Sequence, residues 1–474
     1  MLSLMMRDIR NYRKSATNTA GMWWLGGLGA LLIALTLAGL SLHRPGAVTL
    51  PSPRAAHVFV ELAALAALVY FAAVATVLRR PMPRGTLWLV LGVALAMRAL
   101  VLPAPPFLSS DMYRYVWDGK VQNAGISPYL YIPDNPALAK LRDTAIYPHI
   151  GRVGSARTIY PPTAQLVFRL VAAISPTVLA MKAAMVGFEL LGIGAIIVVL
   201  GRVGLPRERV LIYAWNPLTV WAFAGNGHAD AIAIGLIGLA LLARMGRRDG
   251  VTGALLGAAT LVKFLPGAVA PAFWRQRDWR LPVTAAAVMV ALYACYIGVG
   301  WRVLGFLPGY AREEGLDSGM GFWLLAGLDD LVHLPAFAAR VYTALAACAL
   351  AGLAAWVAFR PRPEANGSRA DMVRVGGDAA LLAAATMLAL SPHYSWYYAW
   401  LALPCCLCPW RSVIYLSAAG LLLDINPLNE HFLWPCLLFV PAIALGLRDL
   451  RAARPARTTA PASLSPTDAI GRSS

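Results

Sequence analysis

The chain has 474 residues, 59% of them hydrophobic and 14% charged, with a mean hydropathy of +0.62. Soluble domains are about half apolar and a quarter charged, so a soluble architecture, intrinsic disorder and a small disulfide scaffold are excluded. Lys and Arg number 41 against 23 Asp and Glu, a net +18, which in so apolar a chain marks membrane topology and gives no reason to expect a nucleic-acid partner.

A helical crossing needs about 20 apolar residues. After a short segment, 1–20, carrying Arg7, Arg10, Arg13 and Lys14, three spans are expected within 21–103: Gly21–Leu42, His57–Leu78 and Thr86–Pro103. The first is no cleaved signal, because it is long and Ser41-Leu42-His43-Arg44 lacks a small-residue cleavage site. Residues 104–176 form a polar segment with juxtamembrane helices. Central helices fill 177–300: Thr177–Leu200, Val210–Ala224, Ala231–Met245, Val251–Trp274 and Leu281–Gly300. A second polar segment occupies 301–334. The C-terminal helices lie in 335–447, as Pro335–Phe359, Asp378–Leu390, Trp396–Leu407, Ser412–Asp424 and His431–Leu447, before a tail, 448–474, expected to be disordered. The fold class is thus an all-α polytopic transmembrane helix bundle of about 12–14 spans.

Short loops rich in Lys and Arg face the cytoplasm. Placing both termini inside puts Arg79–Arg84, Arg202–Arg209, Arg244–Arg248, Arg360–Arg374 and Arg411 inside as well, and turns 104–176 and 301–334 outward. Val251–Trp274 is long enough for one crossing, yet both flanks are basic. A break at Lys263-Phe264-Leu265-Pro266 satisfies the charge rule and puts Lys263 near the outer tip. The alternative is one straight span with Lys263 snorkelling to headgroups. The cysteines, Cys295, Cys348, Cys405, Cys406, Cys408 and Cys436, sit in or beside apolar runs and read as small buried hydrophobes.

The polar chemistry gathers on the outward side. Ser110 can cap a helix from Asp111 to about Gly125 that carries Asp111, Arg114, Tyr115 and Asp118 on one face. Asp111 in the first turn is favoured as an anion and can accept a proton from a hydroxyl; alternatively it only starts the helix and pairs with Arg114. Tyr129, Tyr131, Tyr147 and Tyr160 alternate with prolines, suited to stacking on sugar rings or to sitting at the lipid interface. His149, Arg152 and Arg157 bring positive charge to the outer side, which anion binding explains better than topology. Asn226-Gly227-His228-Ala229-Asp230 and Ser391-Pro392-His393-Tyr394-Ser395-Trp396 form two further outer tips. Glu189, inside a span, is either helix-bundle glue or functional, and Trp215-Asn216-Pro217 marks a kink.

These motifs, in this order, resemble the GT-C superfamily of integral-membrane glycosyltransferases: Ser110-Asp111-x-Tyr-Arg-Tyr-x-Trp-Asp-Gly, then Gly125-Ile-x-Pro-Tyr129 and Ile159-Tyr-Pro-Pro162. The chain is most similar to bacterial polyprenyl-phosphate-mannose-dependent mannosyltransferases of the glycosyltransferase 87 type. The resemblance implies a large extracytoplasmic catalytic loop and inverting transfer of a hexose, mannose in that group, from a polyprenyl-phosphate donor. The acceptor is a lipid or glycan at the outer face of a bacterial-type inner membrane, with membrane lipids as surroundings. Asp111 matches the general base. Lys263, Arg114, Arg152, Arg157 and His393 are candidates for the donor phosphate. Asp118, Tyr129, Tyr160, His149, His228, Asp230 and Tyr394 are candidates for the substrates. No second acid adjoins Asp111, so neither a divalent metal nor another cofactor is expected. The rival reading is a lipid-linked sugar flippase or small-solute transporter, which predicts repeated halves that this sequence does not display.

Overall fold

Runs of Leu, Ala, Val and Ile can satisfy their backbone polar groups in a bilayer only by folding into helices or closed barrels. In the computed structural model residues 19–43, 53–276, 278–362, 366–425 and 433–453 are described, and among them every regular element is helical. The principal helices are α1 (Thr19–Ser41), α2 (Pro53–Arg79), α3 (Thr86–Val101), α4 (Asp111–Asn123), α5 (Pro162–Ile174) and α6 (Val178–Arg202). They continue with α7 (Asp230–Met245), α8 (Asp249–Lys263), α9 (Arg280–Ala294), α10 (Ala338–Phe359), α11 (Arg369–Leu390) and α12 (Leu433–Ala453). The basic N-terminal residues up to 18, the tip at 426–430, the start of the last span at His431 and the tail from 454 lie outside the described residues.

Among the described residues six helices have the length and apolarity to cross a membrane, or up to eight elements if two bent pairs are counted as spans. The crossings counted from sequence also include shorter pieces. α3 has 16 residues, about 24 Å at 1.5 Å per residue. The stretch expected as a span at Trp396–Leu407 is instead a tight 3₁₀ coil, Ser395–Leu401, followed by the short helix Ala402–Cys405, all of it buried. Leu281–Gly300 also departs from a straight span: the chain bends by 107° between Arg280–Ala294 and Ile297–Glu313. The Gly298–Gly300 stretch supplies the freedom, Gly300 having φ +54°.

Buried polar pairs fix the packing. Arg98 of α3 forms a bidentate pair with Glu189 of α6, its closest contact 2.5 Å, and also donates to the Ala214 carbonyl at 2.8 Å. Glu189 is therefore the bundle's glue. After Trp215, Asn216 accepts from the Leu218 N–H and donates to Ser417 Oγ, which makes the expected kink a capped restart. The chain then reverses by 118° between Pro217–Gly225 and α7.

α8 breaks where the basic flanks demand it. Phe264 has φ +42°, the chain continues as a 3₁₀ turn and the short helix Ala270–Phe273, and Arg275 then meets Asp249 at 3.1 Å. Since Asp249 opens α8, the chain has returned to the level from which it left. At that same end Arg244 is bidentate to Asp371 and Arg360 pairs with Asp378. Two cysteine expectations need correction. Cys405 and Cys406 are buried, but Cys295 and Cys348 are exposed on the bundle's surface, where apolar helix faces can meet lipid tails and need no protein cover.

Candidate active site

α4 begins at Asp111 and closes after Asn123, with Gly125 at φ +79° returning its N–H to the Gln122 carbonyl. Its start is held differently from expectation. Ser110 is in a helical conformation and makes no side-chain cap; Ser109 Oγ accepts from the Asp111 N–H at 3.2 Å. Arg114 does not pair with Asp111 either. It turns one helical turn forward to Asp118, 2.8 Å away, and donates to the Ala156 carbonyl. Asp111 is thus left without an arginine partner.

Other groups surround it. The Tyr160 hydroxyl donates to Asp111 Oδ2 at 3.1 Å, and His228 Nδ1 stands 3.9 Å from the same oxygen. His228 reaches that position because Gly227, at φ +70°, lies against α4: a Cβ there would fall 1.8 Å from Met112 Cε. Burial pushes the Asp111 carboxyl above its ordinary range, opposed by Lys263, the Tyr160 hydroxyl and Arg152. A carboxylate moved upward is a better proton acceptor near neutrality than an ordinary one.

Two cavities meet at Tyr160. A polar one of about 60 Å³ is lined by Asp111, Arg114, Arg152, Arg157, Tyr160 and Tyr310. A larger one of about 220 Å³ is mostly apolar, through Phe264, Leu265, Leu307, Leu316 and Leu390, with Lys263, Glu314 and His393 as its charged or titratable lining. Tyr160, Ile159 and Tyr310 belong to both linings and form the wall between them. The second polar segment closes this region. Phe306 N–H donates to the Thr158 carbonyl, Glu313 pairs with Arg152 at 2.7 Å, and Glu314 lies 3.4 Å from His393.

Lys263, a candidate for the donor phosphate, faces the apolar cavity and already has a protein counter-ion. Its ammonium pairs with Asp230 at 2.9 Å and lies 4.2 Å from the centre of the Tyr397 ring. Asp230, almost wholly buried at the start of α7, thereby serves Lys263 and lines neither cavity.

Tips distant in sequence therefore converge on one region: Asp111, Arg152, Arg157, Tyr160, His228, Lys263 and His393. Six candidates line neither cavity: Asp230, His228, which stands behind Asp111, and four others. Asp118 is buried between Arg114 and Gln165, Tyr129 donates to the Tyr160 carbonyl, His149 packs on Tyr113, and Tyr394 stacks on Trp396. Sequence reasoning placed Glu314 on the second outward segment without a role and left out Tyr310 and Tyr397. Tyr310 and Tyr397 join their hydroxyls at 2.9 Å across the cavity. The acidic pair Glu313-Glu314 on an outward segment was the one signal pointing there.

A family model described as alpha-(1->6)-mannopyranosyltransferase, N-terminal domain (the MptA_B family), matches residues 23–276, more than half of the chain. The matched region carries Asp111, Tyr160, His228 and Lys263, whereas Glu314, His393 and Tyr397 lie beyond it. No curated protein and no solved structure matches the chain.

Proposed function

The chain belongs to the alpha-(1->6)-mannopyranosyltransferase family and is a multi-pass membrane mannosyltransferase; from this we propose that its donor is a polyprenyl-phosphate mannose and its acceptor a lipid or glycan at the extracytoplasmic face. The observation carrying the reading is the cavity pair. An apolar volume that suits an isoprenoid tail ends at Lys263 and His393, one tyrosine away from a polar pocket holding Asp111.

In this reaction Asp111 takes the proton of the acceptor hydroxyl. The acceptor oxygen bonds to the anomeric carbon from the face opposite the phosphate. The bond from that carbon to the phosphate oxygen breaks, and its electron pair leaves on the phosphate, so the anomeric centre is inverted. Lys263 and His393 offset the charge that develops on the phosphate, and Arg152 and Arg157 line the acceptor's side. A phosphate is a weak base and leaves without a general acid. Lys263 and Arg152 both act on the Asp111 carboxyl, an environment that repels a divalent cation, so the reaction is read as metal-free. The positive-inside pattern supports an outward 104–176, with the basic loops Arg244–Arg248, Arg275–Arg280 and Arg360–Arg374 in the cytoplasm of a bacterial-type cell.

The test is transfer of labelled mannose by the purified protein in lipid nanodiscs, with polyprenyl-phosphate mannose or a nucleotide sugar as donor. Wild type should use the lipid donor alone, and Asp111→Asn should be folded and inactive. Turnover of Asp111→Asn near the wild-type rate, or use of the nucleotide sugar instead, would refute the reading.

A further inference from the structure

The imidazole of His228 is out of keeping with its surroundings. It is 1% exposed, and neither ring nitrogen has a hydrogen-bond partner. One face stacks on Trp396, with centroids 4.0 Å apart and planes 17° from parallel. Burying two polar atoms without partners is costly, and such groups in native proteins call for an explanation. The backbone that carries it is specific, because Gly227 holds φ +70°, a conformation that a side chain strains.

Asp111 Oδ2 lies 3.9 Å from its Nδ1. That is longer than a hydrogen bond, but hydrogen bonds of catalytic groups are often long before substrate binds and tighten in the complex. Tyr160 already donates to the same oxygen at 3.1 Å. We propose that His228 is a positioning residue for the base: with substrates bound, its Nδ1–H donates to Asp111 Oδ2 alongside the Tyr160 hydroxyl, leaving Oδ1 turned toward the acceptor. This requires the tautomer with its proton on Nδ1. The Trp396 stack fixes the ring plane, and a small swing of the Asp111 carboxylate closes the gap. The inference rests on Asp111 being the base.

A hydrogen bond to the ionised form favours it. His228 then offsets part of the burial that pushes the Asp111 carboxyl upward. The other groups acting on Asp111 are Tyr115 on its own helix, Arg152 and Tyr160 on the loop, Asp230 of α7, Lys263 of α8, and Tyr394. Those acting on His228 are Lys263 and Asp111. Substituting His228 leaves all of the others in place.

The experiment measures transfer across the acid and neutral pH range for wild type, His228→Phe and His228→Gln in nanodiscs. His228→Phe keeps the stack on Trp396 and removes the donor, while His228→Gln restores an N–H. The phenylalanine variant should move the acid limb of kcat upward by about one pH unit, as loss of one charged hydrogen bond implies. KM for the donor should be unchanged, and glutamine should recover most of the shift. If His228→Phe does not assemble, His228→Met replaces it as the variant without a donor. An acid limb that stays at its wild-type position in the apolar variant, whatever the rate, overturns the proposal. So does a glutamine variant shifted as far as the apolar one. An active Asp111→Asn would mark the separate failure of the functional reading, in which case the acid limb belongs to another group.

Discussion

Lys263 and Asp230 are 10% and 2% exposed in their side chains, so each depends on the other for neutralisation. Replacing Asp230 by Asn leaves a buried ammonium over the rings of Tyr397 and Trp396, with the more distant Asp111 as the other acid acting on it. Breaking a buried pair by removing one partner costs about 3–5 kcal/mol, while the cation–π contact returns only about 0.5–2 kcal/mol. Asp230→Asn and Lys263→Met should each lower stability by about 3 kcal/mol. The double variant should lie closer to wild type than the sum of the two, because no charge is then stranded. Equilibrium unfolding of the protein in detergent, repeated with and without a polyprenyl-phosphate sugar, measures both parts. If Lys263 also meets the donor phosphate, the lipid should stabilise Asp230→Asn more than wild type, since its phosphate replaces the missing carboxylate. Donor binding should be strongly weakened in Lys263→Ala and partly kept in Lys263→Arg. Single variants within about 0.5 kcal/mol of wild type, or a double variant at the full sum, would refute the electrostatic argument. Equal stabilisation of wild type and Asp230→Asn by the lipid would remove Lys263 from the phosphate site.

Because burial raises the Asp111 carboxyl, the folded state binds that proton more tightly than the unfolded chain does. The group's stabilising contribution is therefore present at acid pH and lost as pH rises through its folded value. Asp111→Asn should consequently raise the melting temperature at neutral pH while abolishing transfer, and a variant less stable than wild type there would contradict this. Glu189→Gln strands Arg98 and should cost about 3–5 kcal/mol, with the rate per folded molecule unchanged; a loss of rate without loss of stability would point to function. A cysteine at Ala139, exposed in the segment 104–176, should react with an impermeant reagent from the outer face, and labelling only after inner-face exposure would reverse the orientation.

What was legible in the sequence was whatever local spacing carries. The break after Lys263 followed from basic flanks around a Pro-containing apolar run, and Asp111 at the head of a helix followed from the serines before it and the glycine behind. Counting crossings brought Asp111, His228, Lys263 and His393 to one end, where Asp111, Lys263 and His393 line the two cavities and His228 stands beside Asp111. Pairing was not legible. Arg114 chooses between two aspartates on its own helix by side-chain direction, and Lys263 meets an acid 33 residues away, a contact that no periodicity encodes. The hydroxyl contact of Tyr310 with Tyr397 is formed by packing between segments 87 residues apart. The bend after α9 stayed hidden because its residues are as apolar as a span; glycine freedom, not polarity, marks it.

The return of the chain after Phe264 has a consequence for biosynthesis. On the proposed topology this hairpin leaves the bilayer on the side it entered and changes no parity, so every later helix keeps the orientation it would have without it. The tip must nonetheless carry an ammonium deep into an apolar environment, which the emerging segment could not tolerate alone. Asp230 precedes Lys263 by 33 residues and so leaves the ribosome first. When the hairpin is delivered its counter-ion is already in place on α7, and the order of synthesis itself keeps the charge from having to enter the membrane unaccompanied.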